Sequence, residues 1–143
     1  MADVSITPSN VVPPSGSDTH HSQPSQSVTG EAIDAGMIVC RVASDGKLYK
    51  ADANDADKQN VQGMAGNSAV AAGQHCDVIS QSPAVAVGSH GETVGTPLYL
   101  SATPGKLCPF SDLTTGALPI LCSYAVSSTE LQIILAEAGA PIP

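Results

Sequence analysis

Short apolar runs, interrupted at close intervals by glycine, proline and aspartate, are the sequence feature that most restricts the fold of this chain. They continue from Val28 almost to the end of the sequence. Short runs between turn residues predict the strands of a β-sandwich or barrel. The predicted strands are residues 37–42, 47–50, 61–65, 76–80, 84–87, 97–100, 118–126 and 130–135. The glycines between them are Gly63, Gly66, Gly73, Gly88, Gly91, Gly95, Gly105 and Gly116.

Two segments fit a helix as well as a strand or loop. Residues 54–59 could form a short helix. Residues 131–138 form an apolar run that fits both the helical and the strand period, because runs this short do not separate the two. We predict a strand there. The predicted fold class is therefore all-β, a small antiparallel sandwich or barrel.

The first predicted hairpin has a counterpart later in the chain. GMIVCRVASDGKL, residues 36–48, aligns without gaps with GTPLYLSATPGKL, residues 95–107, at five identities in thirteen positions. Each copy reads glycine, apolar strand, alanine, turn and Gly-Lys-Leu, and the turn glycine tolerates positive φ. VQGMA, residues 61–65, follows the first copy and LCSYA, residues 121–125, follows the second. The pattern indicates either a duplicated hairpin-plus-strand unit or chance reuse of the same turn chemistry.

The segment 1–27 differs from the rest of the chain. It contains four prolines, many hydroxyl residues and few apolar side chains, so it cannot bury enough surface to offset the entropy of ordering. We expect either an extended arm that orders on a partner or a solubilising tail. The residues predicted to dock on a partner are Ile6, Val11, Val12 and Val28. The predicted units are an extended N-terminal arm at 1–27, a β-domain at 28–137 and a short C-terminal tail at 138–143.

Composition limits the possible partners. Aromatic residues make up 3% of the chain, with no tryptophan and Phe110 as the one phenylalanine, so the core must be aliphatic. Modest stability is expected, with burial against other subunits as a supplement. Thirteen acidic and five basic residues give a net charge of −8, and nucleic acid and anionic membranes are not expected partners. No apolar stretch is long enough to span a membrane and the N-terminus lacks a signal-peptide pattern, so a protein made and used in a cytosol is expected.

No motif for catalysis or cofactor binding is complete. Residues 66–70, GNSAV, lack the closing glycine of a nucleophile elbow, and phosphate-loop and dinucleotide motifs are absent. In the acidic stretch, Asp52 and Asn54 fit a calcium loop, but Ala56 occupies the third ligand place. A solvated loop is predicted instead. We predict no enzyme activity, no catalytic residue, no cofactor and no metal.

The cysteines and histidines are also assigned structural or surface roles. The cysteines form no C-x-x-C pair and are predicted to be free, buried thiols: Cys40, Cys76, Cys108 and Cys122. The histidines are predicted to lie at the surface: His20, His21, His75 and His90. Adjacent residues of a strand point to opposite faces. A thiolate–imidazole pair between His75 and Cys76 is therefore not expected.

Several segments, in order along the chain, resemble small head proteins of tailed bacteriophages. VTGEAIDAGMIV, residues 28–39, is similar to their opening G-E-x-I-x-A-G-x-x-V pattern, and DGKLYKAD, residues 45–52, is similar to their next hairpin. The remaining matching segments are VQGMA at 61–65 with AGQ at 72–74, GTPLYLSATPGKL at 95–107 and YAVSSTEL at 124–131. Together they resemble capsid decoration, cement or head-fibre proteins over most of residues 28–135.

The resemblance implies a role in the virion. It implies a small β-tulip-like domain that forms a homotrimer and binds the major capsid protein on the outer surface of the head, after synthesis in the host bacterial cytoplasm. It supplies no catalytic residues, and its docking arm maps only onto residues 1–27. The alternative is a head fibre or tail adhesin that binds a host receptor or glycan. A small β-fold hydrolase is the third and least favoured reading.

Overall fold

The computed structural model describes residues 3–14, 19–21, 28–113 and 117–138, and within these it leaves the side chains of residues 21, 135, 137 and 138 undescribed. The described chain is all-β, with short 3-10 helices at Pro8–Asn10, Ala56–Lys58 and Phe110–Asp112. The strands are β1 His20–His21, β2 Ile38–Arg41, β3 Leu48–Lys50, β4 Val61–Ala65, β5 Val78–Ala86, β6 Pro97–Leu100, β7 Leu107–Pro109, β8 Ile120–Ala125 and β9 Glu130–Ala138.

Eight of the strands form one antiparallel sheet, curled into a half-barrel. Their order is β3-β2-β4-β5-β9-β8-β6-β7, and the short β1 pairs with β5 outside this path. Counted from either edge toward the centre, the two halves have the same order: β3, β2, β4 and β5 in one half correspond to β7, β6, β8 and β9 in the other. The central pair, β5 and β9, is antiparallel.

The two halves repeat each other in register. Val39 pairs with Lys50 in the first hairpin, and Leu98 pairs with Pro109 in the second. Val39 and Lys50 are separated from Leu98 and Pro109 by the same number of residues as residues 36–48 are from residues 95–107. The pairing of β2 with β4 is interrupted between Val39 and Cys40, and that of β6 with β8 between Leu98 and Tyr99, which is the same place in each copy. The sequence repeat is therefore a structural duplication. We call β2–β5 the first copy and β6–β9 the second copy.

The two outermost strands are covered by chain segments at equivalent positions. At the edge strand β7, the carbonyl of Leu107 accepts a hydrogen bond of 2.8 Å from the amide of Val4. At the edge strand β3, the carbonyl of Leu48 accepts one of 2.8 Å from Gly30. Leu48 and Leu107 occupy the same position of the repeat. Free strand edges favour pairing with other chains, and these contacts reduce that exposure.

Two apolar clusters stabilise the sheet. The larger cluster joins both copies and includes Ile38, Met64, Ile79, Val85, Leu98, Leu107, Ile120, Leu131 and Ile133. The smaller cluster lies against the first copy and combines strand residues with residues of the flanking loops: Val39, Leu48, Ala65 and Val78 with Ile33, Ala69 and Cys76. Because neighbouring strand residues point to opposite faces, Ile38 and Val39 pack into different clusters. Both faces of the first copy are thus buried.

Most predicted strands are confirmed, and the all-β class with them. Strands β4 and β6 have the predicted bounds, the ambiguous segment 131–138 lies in β9, and residues 54–59 contain one 3-10 turn. The two strands predicted at 76–80 and 84–87 are one strand, β5, because its register shift between Ser82 and Val85 accommodates the exposed Pro83 without ending the strand. Strands β1 and β7 were not among the predicted strands.

Candidate interaction surfaces

The structure places the four predicted docking residues at different depths. Ile6 and Val11 pack against the larger cluster, and Val28 is half-buried and forms an isolated bridge with His75. Val12 is 59% exposed, while its amide donates to the carbonyl of Ala86 at 2.9 Å. The described part of the predicted arm therefore lies on its own domain, and only Val12 of these four presents a mostly exposed side chain.

The main anchor of this segment is a residue that the sequence prediction missed. Val4 is only 4% exposed and belongs to the larger cluster. Next to it, the Ser101 hydroxyl donates to the Asp3 carboxylate at 2.5 Å. Residues 3–7, DVSIT, alternate polar and apolar side chains, which is a short strand-like signal. The sequence prediction gave more weight to the proline- and serine-rich composition of residues 1–27. Between this segment and the hairpins lies a cavity of about 90 Å³, lined by Val4, Ile6, Pro8, Asp34, Ala35, Gly36, Met37, Gly105, Lys106 and Leu107.

A second surface is formed by aromatic and aliphatic side chains on the outer side of the second copy. We call Tyr99, Phe110, Leu121 and Tyr124 the aromatic face. Three of the four aromatic residues of the chain belong to it. Phe110 is 53% exposed, and the other three side chains are half-buried.

The strand register explains why these side chains share one face. Tyr99 pairs with Leu121 on β8, and Pro97, two positions before Tyr99, pairs with Tyr124. Alternate residues of β6 point to the same side. Their neighbours Leu98 and Leu100 point to the other side, into the larger cluster. Phe110 follows β7 and packs edge-to-face on Tyr99, with ring centroids 5.4 Å apart and an interplanar angle of 69°.

Acidic residues lie around this face. Tyr99 is the register partner of Cys108. The pKa of the Cys108 thiol is raised to about 11, first by burial and then by the negative charges of Asp3, Asp112 and Glu92. Both carboxylate oxygens of Asp112 are buried and accept no hydrogen bond from the described residues, so of these three groups Asp3 and Glu92 carry the charge near the Tyr99 end of the face.

Strand β9 adds a further acidic position beside the aromatic face. Glu130 lies two positions before Gln132, the register partner of Tyr124, and so on the same side of the strand. Its carboxylate accepts a hydrogen bond of 3.3 Å from the Ser127 hydroxyl. We call Asp3, Glu92 and Glu130 the acidic rim.

The cysteines match the sequence prediction. All four are free and buried, and burial is the largest cause of the rise in pKa to about 11 for the Cys40 and Cys76 thiols and to about 12 for the Cys122 thiol. Cys76 is buried while the adjacent His75 is exposed, so the two side chains do not form a nucleophile–base pair. Thiols held protonated in this way have low reactivity.

The surface prediction is wrong for His90. This residue is only 2% exposed, and its ring joins two loops: Nε2 donates to the carbonyl of Ser127 at 2.6 Å, and Nδ1 accepts from the amide of Glu92 at 3.1 Å. The pattern Gly-Ser-His-Gly suggested a solvated turn, but both ring nitrogens find backbone partners. His20 and His75 are exposed as predicted, and the side chain of His21 lies outside the described residues.

The acidic stretch of the first copy makes local turns. The Asp52 carboxylate accepts from the amide of Asn54 at 2.9 Å, and the Asp55 carboxylate accepts from the amide of Asp57 at 3.0 Å. Asp45 accepts from the hydroxyl of Tyr49 at 2.6 Å, and this hydrogen bond is the first cause that lowers the pKa of Asp45. Within the described ranges, no group of three histidine, cysteine, aspartate or glutamate side chains converges to hold a metal ion.

Comparison with known proteins adds no relative. No protein-family model matches the chain, and no curated protein or solved structure matches it. Where the structure describes the chain, it contains no helix with the length and apolar character needed to cross a membrane.

Proposed function

We propose that this protein is a capsid decoration, or cement, protein that binds the outer surface of a bacteriophage head and stabilises contacts between major capsid protein subunits. The observation that carries the proposal is the place of the resembling segments in the fold. Those segments contain the whole of β3, β4 and β6 and parts of β2, β7, β8 and β9. The likeness to phage head proteins thus falls on the duplicated framework of the sheet.

Other features of the chain support a function based on contact. Both outer strands are covered, which suits a protein that would be crowded on a repetitive surface. The second copy exposes an aromatic face, and aromatic residues are enriched at protein interfaces. The homotrimer, the location on the virion and the cytoplasmic origin belong to the same proposal. It assigns the protein no enzymatic role.

The test is binding to heads that lack this protein. Expanded heads from a phage with the gene deleted should bind the purified chain saturably in co-sedimentation, and the decorated heads should resist heating better than bare heads. A chain that stays in the supernatant at micromolar concentration, with heads of unchanged heat resistance, would refute the proposal. The matched control is unexpanded heads, because a site formed where subunits meet depends on their arrangement.

A head fibre or tail adhesin is the second candidate, and one observation favours it. Clustered exposed aromatic rings are common in glycan-binding sites, and Tyr99, Phe110 and Tyr124 lie on one face. Binding of the isolated chain to host cells, and its loss in a Phe110→Ala variant, would support this function. Binding to heads without any binding to cells would exclude it.

A further inference from the structure

We propose that the aromatic face of the second copy, rather than the N-terminal segment, is the surface that docks on a partner, and that this partner is a protein surface with an apolar centre and a basic rim. The inference deepens the proposed function and rests on it for the identity of that partner. It changes the sequence prediction, which assigned docking to Ile6, Val11, Val12 and Val28.

The N-terminal segment is already engaged with its own domain. Val4 is buried, and the side chain of Ile6 lies so close to Gly36 that a Cβ there would be 2.5 Å from its Cγ2 atom. Releasing this segment to a partner would expose these apolar groups and uncover the edge of β7. Each of these losses opposes binding, because the free energy of the intramolecular contacts must first be given up.

The two copies differ in what covers the side of the sheet that faces away from the larger cluster. In the first copy, loop residues Ile33 and Ala69 exchange two backbone hydrogen bonds, of 2.8 and 2.7 Å, and close the smaller cluster. The loop between β4 and β5 covers residues 66–77, whereas the turn between β8 and β9 covers only residues 126–129. In the second copy the residues equivalent to Val39 and Leu48, which are Leu98 and Leu107, pack in the larger cluster instead. Tyr99 therefore lies on the side of β6 that faces away from that cluster.

The composition of the face favours a protein partner. Its four residues are uncharged, with two tyrosine hydroxyls for hydrogen bonds, which is the composition of interface centres. The Tyr99 and Phe110 rings meet at 69°, so they do not form a flat platform for a sugar ring.

The charges around the face indicate which sign of charge the partner should carry around its apolar centre. The acidic rim brings three carboxylates to the margins of the face, while the one basic residue of the second copy, Lys106, lines the cavity together with Asp34. Two copies of this chain joined face to face would bring like charges together. A basic rim on the partner would instead attract the face and accelerate association at low salt.

The experiment compares binding of full-length variants to expanded heads that lack this protein. Phe110→Ala and Tyr124→Ala should each weaken binding on the order of tenfold or more, because a buried aromatic anchor dominates an interface. Val70→Ala is the control, since Val70 is 78% exposed on a first-copy loop. Val12→Ala tests the rival docking site. Thermal unfolding by circular dichroism identifies variants that fail to fold, and Phe110→Ser then replaces them because Phe110 is already half in solvent.

Each outcome decides between the surfaces. Weaker binding by the two face variants, with Val70→Ala and Val12→Ala unchanged, supports the inference. Equal binding by all variants overturns it and leaves the decoration function standing, and failure of the unchanged chain to bind heads overturns both. If the face variants lose only self-association, or only binding to host cells, then the face serves a second copy or a glycan and the inference is wrong. Association that does not slow when the salt concentration is raised on the order of tenfold would remove the basic rim from the proposal.

Discussion

The ring of His90 connects the loop before β6 to the turn between β8 and β9. A carbonyl oxygen only accepts a hydrogen bond, so the contact with Ser127 fixes the hydrogen on Nε2, and Nδ1 is left to accept from the amide of Glu92. The amide of Val87 adds a bond of 2.9 Å to the carbonyl of Thr129. One buried imidazole thus satisfies two backbone groups that would otherwise lack partners away from water.

We expect His90→Ala to lower the free energy of unfolding by about 1–3 kcal/mol, because it removes a buried side chain that is the hydrogen-bond partner of two partly buried backbone groups, the carbonyl of Ser127 and the amide of Glu92. His90→Gln should recover part of this loss, since its amide both donates and accepts. Urea denaturation of both variants, with exposed His75→Ala as the control, measures the effect. Equal stability of His90→Ala and the unchanged chain would show that water replaces the ring at no cost.

The raised pKa of the buried thiols gives a testable pH dependence. Cys40 and Cys76 have pKa values of about 11 when folded, against an ordinary value of 9.0. An unfolded chain therefore loses these protons first. This contribution to stability is complete below pH 9, and it is lost as the pH rises from 9 toward 11.

Alkylation by iodoacetamide at pH 8 should follow the same difference. For Cys40, Cys76 and Cys108, a pKa two units higher leaves about one hundredth of the thiolate. Each of these three should react about 100-fold more slowly in the folded chain than in denaturant, and Cys122, with a pKa of about 12, should react more slowly still. Mass spectrometry of the four cysteines resolves the rates, with the denatured chain as control. Rapid labelling of any one cysteine under native conditions would contradict its burial.

At the scale of the elements, the duplication depends on an irregular pairing that the two copies share. In the first copy Gly63 of β4 pairs with Val39 at this irregularity. It also lies so close to β5 that a Cβ would overlap the carbonyl oxygen of Ile79, and its φ is +149°. In the second copy Ser123 occupies the equivalent place opposite Leu98. The copies therefore share this register but have different residues at it, glycine in the first copy and serine in the second.

Gly63→Ala should destabilise the protein by on the order of 3 kcal/mol or more, because the new methyl group must displace backbone and not a flexible side chain. Gly46→Ala is the matched control: its φ is +71°, but no atom lies within 4 Å of the added Cβ. It should cost only about 1–2 kcal/mol for the left-handed conformation. Equal losses in the two variants would mean that β4 can shift away from β5.

The sequence predicts the elements well where the hydrophobic pattern and the turn chemistry agree. The bounds of β4 and β6 and the repeated hairpin all follow from such local agreement. Strand β7 was missed because its short span, Leu107–Pro109, ends in proline, and β5 was divided because Pro83 interrupts its pattern. The packing of Val4 against β7 joins segments that are far apart in the sequence, and no local pattern records such a contact.

The aromatic face also could not be predicted from the local sequence pattern alone. Residues 97–100, PLYL, are apolar on both sides of the strand, which indicates either complete burial or an exposed apolar surface. The sequence alone does not separate these alternatives, because the answer depends on whether a loop covers the outer side. In the structure Leu98 and Leu100 are buried in the larger cluster, and Tyr99 is half-buried on the other side of the strand.

At the scale of the whole molecule, the N-terminal segment is part of the folded unit. It contributes Val4 to the larger cluster, covers β7, and reaches β5 through the bridge between Val12 and Ala86. The predicted boundary between an arm at 1–27 and a domain at 28–137 therefore does not separate independent units at residues 3–14. A truncation designed to remove only a docking arm would also remove part of the core.

Deleting residues 1–14 should therefore lower stability and change the oligomeric state. Burial of Val4 alone accounts for about 1.5–3 kcal/mol, and the deletion also frees the carbonyl of Leu107 at the sheet edge. We expect a lower urea midpoint and new dimers or larger species in light scattering, formed by pairing of the uncovered β7 edges. Val12→Ala keeps these contacts and serves as the control. If the truncated chain unfolds at the same urea concentration and keeps the same mass, then residues 3–14 do not stabilise the sheet, and weaker head binding by that truncation could be assigned to a docking arm.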